Sequence, residues 1–125
     1  MRKQLTDKLY NDFPDLYRQR KLTIMESCMP WGFECGDGWF DLIYQLSQNI
    51  VNIDPTVEAI QVKEKFGGLR FYITGGSEEI HKLIDAAEDL SFETCEDCGT
   101  KENVTVNEVG WIATLCDKCR AKDKE

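Results

Sequence analysis

The sequence predicts an α+β fold, with helices packed on a β-hairpin or small antiparallel sheet and a four-cysteine clip at the C-terminal end. Three observations predict it. Apolar residues recur at helical spacing in three separate stretches, and two alternating runs flank Gly67-Gly68. Two Cys-x2-Cys pairs, Cys95/Cys98 and Cys116/Cys119, also stand seventeen residues apart. At 125 residues, 42% apolar and 30% charged, the chain can bury one modest core. The expected division is an α+β body over 1–92, the clip over 93–120 and a charged tail over 121–125.

A helix is expected over about 3–20, because Leu5, Leu9, Phe13 and Leu16 form one stripe. Pro14 interrupts it, as a kink or as the first turn of a second helix. Arg18-Gln19-Arg20-Lys21 closes the segment, as a solvated helix end or as a phosphate contact. Residues 27–38, with three glycines and a proline, read as a loop. Asp37 is expected to cap a helix over 38–50, whose buried face is Trp39, Leu42, Ile43, Leu46 and Ile50.

Asp54-Pro55-Thr56 breaks the chain before a hairpin over about 59–74. Ile60, Val62, Glu64 and Phe66 alternate with Gln61, Lys63 and Lys65. Beyond the Gly67-Gly68 turn, Leu69, Phe71 and Ile73 alternate with Arg70 and Tyr72. The outward face then carries Lys63, Lys65, Arg70 and Tyr72. Ser77 caps a helix over 78–91 with Ile80, Leu83, Ile84, Ala87 and Leu90 inward. Between the cysteine pairs, Val104–Val106 and Trp111–Leu115 read as a short hairpin turning at Asn107 to Gly110.

The cysteines carry the one specific chemical signal. Two Cys-x2-Cys turns each present two sulfurs, which together make a tetrahedron for one Zn2+ within a ribbon of three short strands. Four sulfurs leave no position open for water, so Cys95, Cys98, Cys116 and Cys119 are read as ligands of a structural zinc. A redox pair is the weaker alternative. Cys28 and Cys35 are read as free thiols and His81, the sole histidine, as a surface residue. A second metal on these three is the alternative. Asp37, Trp39 and their flanking glycines admit two readings, an anion cradle at a helix start or a tight turn before a core tryptophan. Lys63, Lys65, Arg70 and Tyr72 likewise fit a small anionic ligand such as a nucleotide, or a plain exposed sheet face.

The strings Gln61–Tyr72, Gly36–Trp39 and Thr94–Gly99, with Trp111 and Thr114–Asp117, resemble a family of small uncharacterised zinc-ribbon-containing proteins of phages, prophages and bacteria. The resemblance spans about residues 30–119 in three blocks. In some of those proteins histidine stands where this chain has Cys119, which serves zinc equally well. The resemblance implies zinc and a phage or mobile-element setting, and it implies no activity.

The formal net charge is -8, and residues 76–125 carry 13 acids against 6 bases. That field opposes non-specific nucleic-acid binding, which rests on basic surface and counterion release. No apolar run nears the roughly eighteen residues of a membrane helix, and no export signal precedes the first amphipathic segment, so cytoplasm and no membrane are expected. No nucleophile–base pair is visible. The expected function is therefore a non-enzymatic binding protein acting on a host or phage protein. The alternatives are a small anionic-ligand binder and, behind it, a nucleic-acid-binding ribbon.

Overall fold

The computed structural model describes residues 1–123. Helix α1 spans Lys3–Asp12. It ends there because Pro14 bars its predecessor from helical angles, and Phe13 sits at φ -130, ψ 59. The expected continuation to residue 20 is replaced by a bend and a 3-10 turn over Arg18–Lys21. Both arginines of the basic cluster bond the chain itself. Arg18 Nε donates to the Asp15 carbonyl at 2.7 Å, and Arg20 Nη1 donates to the Tyr17 carbonyl at 2.8 Å.

Strand β1, Phe33–Glu34, lies where the sequence predicts only loop. It pairs parallel with β2, Glu58–Lys65, placing Phe33 opposite Val62 and Glu34 opposite Lys63. Strand β3, Gly68–Thr74, pairs antiparallel with β2. The sheet is therefore mixed, in the order β1-β2-β3, and not the purely antiparallel one expected. A strand of two residues is too short to display a period of two. Helix α2, Phe40–Ile53, bridges β1 to β2, and α3, Glu78–Ser91, follows β3. Ser77 caps α3 as expected, its hydroxyl accepting from the Ile80 N–H at 3.3 Å.

The hairpin departs from strict alternation. The register shifts between Ala59 and Gln61, making Ile60 the extra residue of a bulge. Ala59 and Val62 thus point inward together, both fully buried, in place of Ile60 and Val62. The backbone groups beside the bulge find partners elsewhere. The Ala59 N–H donates to the Leu16 carbonyl at 2.8 Å, and the Ser27 hydroxyl donates to the Ile60 carbonyl at 3.3 Å. The turn also sits one residue early. Phe66 and Gly67 occupy it at φ 52 and 86, while Gly68 already belongs to β3.

One apolar core runs from Leu9 through Trp39, Ile43, Ile50, Val62, Leu69 and Phe71 to Ile80 and Ala87. Tyr17 is buried within it, and burial pushes its phenol far above the usual range. Its hydroxyl shares a 2.6 Å hydrogen bond with Ser47, which sits 2.7 Å from the Ile43 carbonyl. That chain satisfies a polar tip the core would otherwise strand.

The C-terminal part holds β4, Val104–Val106, antiparallel to β5, Thr114–Cys116, followed by α4, Asp117–Asp123. Two strands and a helix thus replace the expected three strands, and Trp111 to Ala113 precede β5. Helix α4 also runs into the segment expected as a tail over 121–125, of which Lys124 and Glu125 lie outside the described residues.

Candidate metal centre

The first Cys-x2-Cys pair sits in a turn that backbone hydrogen bonds close, and the second at a strand-to-helix junction. In the first, the Cys95 N–H donates to the Thr100 carbonyl at 2.8 Å and the Gly99 N–H to the Cys95 carbonyl at 2.9 Å. Gly99 holds φ 82, which a side chain would disfavour. In the second, Cys116 ends β5 and Cys119 lies in the first turn of α4. β4 and β5 bring the two turns face to face, and all four sulfurs lie within 4.8 Å of one another. Cys98 Sγ and Cys116 Sγ are 3.7 Å apart. A Zn–S bond of about 2.3 Å gives a tetrahedral edge of about 3.8 Å.

The Cys119 N–H meets Cys116 Sγ at 3.5 Å, and this hydrogen bond leads in holding the Cys116 thiol below its ordinary range, while burial leads in pushing its partner Cys119 up. The hydrogen bond favours the thiolate at Cys116, the form that ligates metal. Cys95, Cys116 and Cys119 are buried, and Cys98 faces solvent. The group can hold a metal ion, and an all-sulfur tetrahedral donor set suits Zn2+.

Arg120 straps this unit together. Its Nη2 donates to the carbonyls of Thr105 and Ala113 at 2.6 and 3.2 Å, and its Nη1 donates to Asn107 Oδ1 at 3.2 Å. Asn107 Oδ1 also accepts from the Ala113 N–H at 2.8 Å. Among the described residues, the Arg120 Nε is buried without a partner.

The body grips the first cysteine turn along a seam made by Gly36-Asp37-Gly38-Trp39. The Gly38 N–H donates to the Glu96 carbonyl at 2.7 Å, the Gly36 N–H to Glu96 Oε2 at 2.8 Å and the Trp39 indole to the buried Thr94 carbonyl at 2.9 Å. A Cβ on Gly38 would stand 2.2 Å from the Cys95 carbonyl oxygen. Burial pushes the Glu96 carboxyl above its ordinary range, against the lowering hydrogen bond from Gly36. Asp37 does not cap α2. Its carboxylate accepts from the Arg2 N–H at 2.8 Å and pairs with the Arg2 guanidinium at 3.5 Å. Cap duty fails because a 3-10 turn over Asp37–Trp39 intervenes before α2. A second seam joins the hairpin tip to β5, where Thr114 Oγ1 donates to the Gly67 carbonyl at 2.5 Å.

The register places Lys63 opposite Arg70 and Gln61 opposite Tyr72. Lys63, Lys65, Arg70 and Tyr72 therefore share one face, as expected. Arg70 is not free there, since its Nη1 pairs with Glu88 Oε1 of α3 at 3.3 Å. His81 is exposed, with Nε2 3.0 Å from the Gly75 carbonyl. Cys35 is buried, and burial, with Glu96 nearby, pushes its thiol up to about 12.

Sequence reasoning missed two side chains. Phe66, read as inward, is 66% exposed, and Trp111, read as a strand residue, is 86% exposed. They line one cleft of about 320 Å3 with Glu64, Lys65, Gly110 and Ile112. The available signal was that each aromatic touches a turn glycine, Gly67 or Gly110, where alternation stops applying.

Among the described residues, no helix is long and apolar enough to cross a membrane. Comparison with family models, with curated proteins and with solved structures returns no match to the chain.

Proposed function

We propose that this chain is a non-enzymatic binding protein, stabilised by one structural Zn2+ on Cys95, Cys98, Cys116 and Cys119. It acts in a cytoplasm, in a phage or mobile-element setting, and engages a host or phage protein through an acidic surface. Inhibition of a defence system is a role such a surface can perform, by occupying a basic groove. One observation carries the reading. Four sulfurs fill the coordination sphere of a tetrahedral ion, so the metal fastens and does not present a water for chemistry. The charge supports it further, with Glu79, Asp85, Asp89 and Glu93 all exposed on or beside α3.

The test is affinity capture from host lysate with mass spectrometry, repeated with Glu79, Asp85, Asp89 and Glu93 changed to Lys. The expected result is one dominant partner lost in the reversed variant. Equal capture by both forms would overturn the acidic-surface reading.

A small anionic ligand on the hairpin is the second reading. It is favoured by the shared face of Lys63, Lys65, Arg70 and Tyr72; Asp37 and Trp39, the sequence candidates at the remote turn, are instead held by Arg2 and by the Thr94 carbonyl, with Trp39 fully buried. A thermal shift with ATP that disappears in Lys65→Ala would support it. The Arg70–Glu88 pair weighs against it.

A further inference from the structure

Phe66 sits in a conformation that bulky residues avoid. It takes the first central position of a two-residue turn at φ 52, with Gly67 at φ 86. Asn or Asp is the usual occupant there. Phe66 gains no burial in exchange, being 66% exposed. A strained, exposed aromatic is an outlier of the kind that clusters at functional sites.

It is also not alone. Across the cleft stands Trp111, with Val109 two residues before it at 87% exposed. Both walls are held. On the hairpin side the Gly67 N–H donates to Glu64 Oε2 at 2.7 Å, and its carbonyl accepts from Thr114. On the other side Asn107 Nδ2 donates to the carbonyls of Val109 and Trp111, and Asn107 is itself held by Arg120. Rigid aromatic anchors around a pocket are the usual centre of a protein interface.

We infer that the Phe66–Trp111 cleft takes an apolar side chain carried on a basic segment of a partner protein. The inference deepens the binding-protein reading above and rests on it. Exposed aromatics also suit stacked nucleobases, and charge decides between the two. The chain carries -8, and the 76–125 part that supplies the Trp111 wall holds 13 acids and 6 bases. That field repels a phosphate backbone and draws a cationic chain. Lys65, the cation of the cleft, already lies 5.8 Å from the Phe66 ring centroid.

The probes are a short Lys/Arg peptide with a central Leu, the same peptide with Ala at that place, and an oligothymidylate. The readout is the Trp111 indole signal and the Gly67 amide in 1H–15N spectra, with stability followed by melting. The Leu peptide is expected to move both signals, with affinity at least about tenfold above the Ala peptide, which corresponds to roughly 1.4 kcal/mol. Trp111→Ser removes the binding. Phe66→Asn is expected to lose binding at least tenfold while raising Tm by about 4 °C, since relieved strain on this scale moves a small domain that far.

A lower Tm in Phe66→Asn would show that the ring serves the fold, and would overturn the proposal. So would stronger shifts with oligothymidylate than with the Leu peptide, or self-association that Trp111→Ser abolishes. If a captured partner still binds Trp111→Ser but not the acid-reversed protein, the cleft falls and the acidic-surface reading stands. If neither variant affects capture, both fall.

Discussion

Between Leu9 and Ala87 the body buries leucines, isoleucines and aromatics against one another, whereas the buried group of the C-terminal unit is Cys95, Leu115, Cys116 and Cys119. The first is held by apolar area removed from water. The second contains little such area, and its buried members are mostly the cysteines of a group that can hold a metal ion. The body lends it hydrogen bonds along Gly36–Trp39 and at Gly67, and on the proposed zinc reading the ion supplies the rest. The two parts should therefore answer differently to the same insult.

Removing the metal should produce the largest effect. Structural zinc sites in small units are worth about 10 kcal/mol or more in apparent folding energy. Chelation, or Cys95→Ser with Cys116→Ser, should collapse the dispersed amide signals of residues 93–120 while the signals of α2, β2 and β3 persist. Simultaneous loss of every signal would mean that the body has no independent core, and would erase the distinction. Unchanged melting, or elemental analysis without zinc, would remove the metal from the account.

Gly38→Ala comes next. Its methyl would meet backbone on three sides, with the Cys95 and Glu96 carbonyl oxygens at 2.2 and 2.6 Å and the Gly99 nitrogen at 2.6 Å. Backbone cannot swing aside, so a loss of about 3 kcal/mol is expected, the upper end for overpacking. Gly68→Ala meets the Phe92 ring at 2.4 Å. A partly exposed ring can turn away, so about 1 kcal/mol is expected there. Denaturant melts of the two variants, with total helicity followed by circular dichroism, check the ordering.

These glycines also show what the sequence discloses and what it does not. The cysteine spacing, the stripe of α2, that of α3 apart from Leu90, which is exposed, and the alternation from Leu69 to Phe71 were legible because each is a local pattern with one physical cause, whereas the first stripe outruns its helix, which ends at Asp12. Gly36-Asp37-Gly38-Trp39 was legible as special but not as a seam. Its partners, Thr94 and Glu96, lie more than fifty residues away, and no local pattern encodes a distant carbonyl. The Ile60 bulge was hidden because its partners are Leu16 and Ser27, on other segments. Phe66 was assigned inward by carrying alternation one residue too far, into the turn.

Trp39→Phe should act on the same seam more gently. The variant removes the 2.9 Å indole bond to the Thr94 carbonyl and also shrinks a fully buried ring system. A buried carbonyl left unpaired costs about 1–3 kcal/mol. Because Thr94 precedes the first ligand, metal release to a chelator should quicken along with the loss in stability. A stability loss without faster release would place the tryptophan with the body alone.

The smallest effect belongs to a contact remote from the clip, and it serves as the control. The Asp12 carboxylate accepts from Lys8 Nζ at 2.8 Å and from the Tyr44 hydroxyl at 2.7 Å, and these two hydrogen bonds, in that order, lead in holding its carboxyl below the ordinary range. A depressed carboxylate pKa contributes stability above its unfolded value and loses it as pH falls through the folded one. Tyr44→Phe keeps the ring against Phe13, at 4.8 Å between centroids, and removes only the hydroxyl. The variant should be slightly less stable at neutral pH, and the difference should vanish as pH drops below the carboxylate range, because protonated Asp12 no longer favours the bond. Its rate of metal release at neutral pH should equal that of the parent, since none of these residues touches the Gly36–Trp39 seam. A changed rate would mean that the body transmits strain to the clip from α1, and that the two parts are coupled through more than their shared backbone contacts.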